Sequence, residues 1–86
     1  MNNDKLKEEF QDIKCNITYL KDRIERVRQQ KNYLLQAMKL EKIDFFGTFN
    51  LLEYALKKLN LEEMHLMGQH KIQINRKIRI KELLYQ

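Results

Sequence analysis

Proline is absent from this sequence, and glycine occurs only at Gly47 and Gly68. Two isolated glycines exclude a glycine-rich phosphate-binding loop, whose backbone needs several of them close together. Without proline there is no rigid linker, and nothing of that kind interrupts a long helix. Tryptophan is also missing, and Tyr19, Tyr33, Tyr54 and Tyr85 are too scattered to form a base-stacking platform. A lone cysteine, Cys15, excludes an internal disulfide and fits a reducing interior. No apolar run approaches the roughly 20 residues of a membrane span. The opening Met-Asn-Asn-Asp-Lys has no apolar core, so no signal peptide is expected. These absences predict an intracellular, cytoplasmic chain with no membrane partner, the nucleus left open as an alternative.

What is present is charge, on 34% of 86 residues, a composition that suits long solvated helices within a single domain. The net charge of +5 is unevenly spread. Residues 1–43 carry ten basic and seven acidic side chains, residues 44–70 two and four, and residues 71–86 five and one. A basic tail therefore follows a nearly neutral body, which suits either solubility or an acidic partner such as nucleic acid.

The strongest pattern is a 4-3 heptad seam over Leu6, Phe10, Ile13, Ile17, Leu20, Ile24, Val27, Lys31, Leu34 and Met38. It predicts a coiled-coil or bundle helix from Asn3 or Asp4 to about Lys42. Cys15 falls on its solvated side. A helix of that length spans about 50–60 Å, more than a small chain can bury without a folded-back segment or a partner. A parallel homodimer would set Arg23 against Arg28 of the second copy, a repulsive pair. A clean parallel zipper is thus poorly specified, and the wider apolar stripe after residue 34 predicts a bundle closed by a fold-back helix. Lys31 interrupts the seam. Either its stem packs while the ammonium reaches water, or it is a register or partner-choice device matched by an acidic residue on another chain. From the seam alone, Lys31→Leu is expected to raise thermal stability.

Residues 44–60 read as a second helix entered near Thr48, with Gly47 relaxing the backbone before it. Phe45, Phe49, Leu52, Leu56 and Leu59 step by 4 and 3, and Leu51 and Ala55 widen the stripe beyond a two-helix contact. Asn60 reads as a stop and as the cap of a short helix over 61–68, ended by Gly68. In 69–86 the alternation of Ile72, Ile74, Ile78 and Ile80 with polar residues predicts a basic strand or hairpin tail. The expected fold is therefore mainly all-α: a long heptad helix folded on a second helix, with a short β element near the C-terminus.

No catalytic, cofactor-binding or metal-binding residue stands out. His65 and His70 are five apart, off the i, i+4 spacing of a helical metal pair. Glu8-Glu9 and Glu62-Glu63 are adjacent pairs on diverging helix faces, which does not make a catalytic dyad. The small helical chorismate mutases need Arg and acidic ligands on the second helix, and residues 49–56 supply only Glu53. An enzyme and a small-molecule substrate are not expected. Lys71-Ile-Gln-Ile-Asn-Arg-Lys-Ile-Arg-Ile-Lys-Glu-Leu-Leu84 resembles the wing-to-last-helix segment of excisionase-type winged-helix proteins, and Leu52–Leu66 loosely resembles a helix-turn-helix with Asn60 at its turn. Leu56, where that motif has a small residue, and Glu62-Glu63 at the start of its second helix depart from the pattern. That resemblance implies a basic strand lying against a phosphate backbone.

Two functions follow as expectations. The first is a helical interaction module, a regulator, inhibitor or assembly subunit, that binds itself (a dimer foremost) or another protein. Its interface would be Ile13, Ile17, Leu20, Ile24, Val27, Lys31 and Leu34, closed by Phe49, Leu52 and Leu56. The second is a dimeric DNA-binding regulator touching phosphates through Lys71, Arg76, Lys77, Arg79 and Lys81.

Overall fold

The computed structural model describes residues 3–40 and 47–85, with the side chains of Thr48 and Phe49 outside the described residues. Two helices account for almost all of them: α1 (Asn3–Leu40) and α2 (Thr48–Leu84). They pack side by side as an antiparallel hairpin, a rod with Cα extents of 65 × 14 × 14 Å. Gly47 enters α2 with φ 74°, the left-handed conformation that glycine adopts without a Cβ penalty. Of the break expected over Asp44–Thr48, residues 44–46, Phe45 among them, lie like Lys42 outside the described residues.

The α1 seam does what its period predicts. Ile13, Ile17, Leu20, Ile24 and Val27 are buried, and Phe10, Lys31, Leu34 and Met38 continue the line half-buried. Their cover is α2. Leu20, Ile24 and Val27 cluster with Leu66, with Leu59 against them. Ile13 and Ile17 cluster with Ile80, flanked by Phe10, Ile74 and Leu84. The start of α1 thus meets the end of α2.

The expected C-terminal strand is not formed. Among the described residues there is no strand, and α2 runs unbroken through Asn60 and Gly68 to Leu84. The short helix over 61–68, the helix-turn-helix and the basic wing are therefore corrected to one helix. The physical reason is the length of the α1 seam. Had α2 stopped near residue 60, Phe10, Ile13 and Ile17 would face water. A lone strand would also leave its backbone N–H and C=O groups without a ladder, whereas a helix pairs them internally. The α2 seam reads Leu52, Leu56, Leu59, Glu63, Leu66, His70, Gln73, Lys77, Ile80 and Leu84, none of them exposed. Four of these are polar, so the 4-3 period is hidden where the isoleucines suggest alternation. Gly68 stays inside the helix at a cost of about 0.5–1 kcal/mol relative to alanine.

This register separates two isoleucines that a strand would place on one face. Ile80 is 7% exposed and Ile78 51%. Ile80→Ala should cost about 2 kcal/mol or more of stability, by loss of packing and a residual cavity. Ile78→Ala should fall within about 0.5 kcal/mol. Denaturant unfolding of both variants checks this; equal losses would contradict the helical register.

Candidate interaction surfaces

The hairpin presents three surfaces: a charged seam edge, a basic end, and the outer face of α2. At the seam edge, Lys31 donates to Glu63 at 3.0 Å and Arg28 donates to the other Glu63 oxygen at 3.0 Å. Arg23 pairs with Glu62 at 3.1 Å. The basic residues that would repel one another in a parallel dimer are thus matched by an acidic pair on the opposite helix. The acidic residue that Lys31 meets lies on its own chain, not on another. The hydrogen bond from Lys31, then that from Arg28, holds the Glu63 carboxyl below its ordinary range.

Residues expected at a partner interface are mostly closed within the chain. Ile13, Ile17, Leu20, Ile24 and Val27 are covered by α2, while Lys31, Leu34, Leu52 and Leu56 are half-buried. The side chain of Phe49 lies outside the described residues. Of the expected phosphate contacts, Lys71, Arg76, Arg79 and Lys81 are exposed and Lys77 is half-buried. None of the five makes an ion pair among the described residues. On a helix they spread around its circumference rather than along one strand edge; Arg76 and Arg79 share a shallow groove with Ile72 and Asn75.

The third surface was not legible from the pattern of breaks expected at Asn60 and Gly68. Leu51, Tyr54, Leu61, Met64, Ile72 and Ile78 are each at least half exposed, on the sides of α2 turned from the core. The widening of the stripe by Leu51 was its only sequence signal. Once the seam is extended past Asn60, Leu61, Met64 and Ile72 fall opposite it.

No group of three or more His, Cys, Asp or Glu residues could hold a metal ion among the described residues. His65 is exposed and His70 half-buried, and Cys15 is exposed on α1. The grooves flanking the helix pair open to solvent, one between Ile24, Arg28, Met67 and His70, another between Tyr19, Leu20, Ile72 and Gln73. Among the described residues two buried atoms, His70 Nε2 and Gln73 Oε1, have no hydrogen-bond partner. Among the described residues no helix is long and apolar enough to cross a membrane. No family model, curated protein or solved structure matches this chain.

Two predictions follow from the seam. A depressed folded-state pKa for Glu63 gives stability that is present above the unfolded carboxylate pKa, about 4.3. That contribution is lost as pH falls through the lower folded value. Glu63→Gln should therefore flatten the fall in melting temperature below about pH 4. Lys31→Leu alone leaves Glu63 with only Arg28, so it should lower the melting temperature, reversing the expectation from the seam alone. Lys31→Leu with Glu63→Leu should recover it. A double-mutant cycle followed by thermal melting checks this; single variants indistinguishable from wild type would contradict it. Separately, Gln73→Leu removes an unpaired buried carbonyl and should raise stability by about 1 kcal/mol in denaturant unfolding. A loss would show that Gln73 finds a partner in solution.

Proposed function

We propose that this chain is a non-enzymatic helical interaction module that acts by packing a helix face against a macromolecular partner. The observation that carries this reading is the apolar surface on the outer side of α2. Leu61 is 67% exposed, Met64 69% and Ile72 58%, on a helix whose opposite side is already used by α1. A helix that is apolar on both sides belongs between two neighbours. The seam side is spent on the hairpin, so the module binds with its outer side.

A second reading has its own support. Lys71, Arg76, Lys77, Arg79 and Lys81 give the open end of the hairpin an excess of cations without ion-pair partners among the described residues. Such an end suits contact with phosphates, now from a helix. Binding of that kind releases counterions and weakens steeply with salt.

Affinity co-purification with the intact chain as bait, with and without nuclease, separates the two. The interaction-module reading predicts a defined protein, or an untagged copy of the chain, that survives nuclease and high salt. It also predicts that reversing the charges of Arg76, Lys77 and Arg79 leaves this capture intact. Loss of every partner on nuclease treatment, with nucleic acid recovered beforehand, would overturn it in favour of the phosphate-binding reading.

A further inference from the structure

The outer surfaces of the two helices are dressed differently. That of α1 is rich in charge, with Lys7, Asp12, Lys14, Asp22, Glu25 and Arg26 all exposed. Along α2, residues 59–75 hold three formal charges, Glu62, Glu63 and Lys71. Both glutamates are engaged by Arg23, Arg28 and Lys31 of α1. Between Lys58 and Arg76, Lys71 is therefore the sole formal charge left to the outer surface, beside Leu61, Met64, His65, Gly68 and Ile72.

We propose that a second copy of this chain covers this patch, the two α2 helices crossing at Gly68. The inference rests on the interaction-module reading and names its partner.

Three observations favour a second copy. The first is area. The chain exposes 7192 Å² for a mass of 10.6 kDa. A globular monomer of that mass exposes about 5,500 Å². The surplus is spread along the whole rod, and it leaves room on one face for a standard-size interface of roughly 800 Å² per partner. The second is charge. A two-fold axis sets a patch against itself, which like charges would oppose. Here Lys71 is the one α2 charge near the centre, Lys21, Glu25 and Arg28 of α1 lie in the groove to one side of Gly68, and Lys57, Lys58, Arg76 and Arg79 lie toward the ends of the patch. At a rise of about 1.5 Å per residue they sit some 12–17 Å along the axis from Gly68. Helices crossing at about 50° separate those ends rather than aligning them. The third is Gly68 itself. A Cβ added there meets nothing within 4 Å, so packing inside the hairpin does not require glycine. A backbone approaching from a second copy does, because only glycine lets two helices come that close without a Cβ between them.

Sedimentation equilibrium of the full chain over a wide concentration range tests the proposal. The wild type should reach twice 10.6 kDa. Leu61→Glu and Ile72→Glu should each weaken the dimer by roughly tenfold or more, since each buries an unpaired charge at the contact. Their helical circular dichroism should persist, because both positions are exposed in the hairpin. Gly68→Ala is the decisive variant. Alanine favours the helix, so a weaker dimer with unchanged or greater helicity can arise only from the close approach. Asp12→Lys, on the outer face of α1, should leave the mass unchanged. A wild type that stays monomeric throughout would overturn this inference alone, leaving the module reading to the co-purification. A dimer unaffected by Leu61→Glu and Ile72→Glu, or tightened by Gly68→Ala, would also overturn it.

Discussion

The burial of Ile13, Ile17, Leu20, Ile24 and Val27 against α2 is the contact that holds both helices in place. An isolated helix in water owes little to propensity and most of its persistence to a packed apolar face. α1 offers such a face over most of its 38 residues, and α2, at 37 residues, is long enough to cover it. Cutting either helix short would expose part of the other. The nearly equal lengths and the elongated shape follow from that mutual cover.

Polar seam positions set which residues meet. Glu63 accepts from Lys31 and Arg28, and neighbouring Glu62 accepts from Arg23. Sliding α2 by one turn would leave Glu63 without these cations and would misplace Leu66 and Ile80 relative to the two apolar clusters. Partly exposed pairs add little to stability singly, but unmatched charges at a seam disfavour wrong registers. The antiparallel hairpin satisfies charges that a parallel zipper of α1 would set in opposition. The same arrangement leaves the outer side of α2 poor in charge over residues 59–75.

The N-terminal half was legible because its period is nearly uninterrupted: Phe10 to Val27 can be laid on one face without ambiguity. The end of the hairpin was not, for local reasons. Asn60 and Gly68 are ordinary stop residues, and Ile72, Ile74, Ile78 and Ile80 mimic a strand over a short window. The seam there is carried by Glu63, His70, Gln73 and Lys77, which no count of apolar residues recovers. A non-local argument would have: a seam reaching back to Phe10 demands a partner that reaches Leu84. Ile13, Ile17, Leu20, Ile24 and Val27, expected at a partner interface, form a face that is filled within the chain. The outer residues Leu61, Met64 and Ile72 were missed because the helix carrying them was expected to end.

The closure of α1 by α2 within one chain is tested most directly by methyl nuclear Overhauser effects at dilute concentration. Ile13 and Ile17 should each show contacts to Ile80, with helical sequential contacts continuing through residues 69–84. Mixed samples of differently labelled chains should not show the Ile13–Ile80 contact. Its appearance only between chains, or an extended-strand pattern over residues 72–80, would contradict the hairpin.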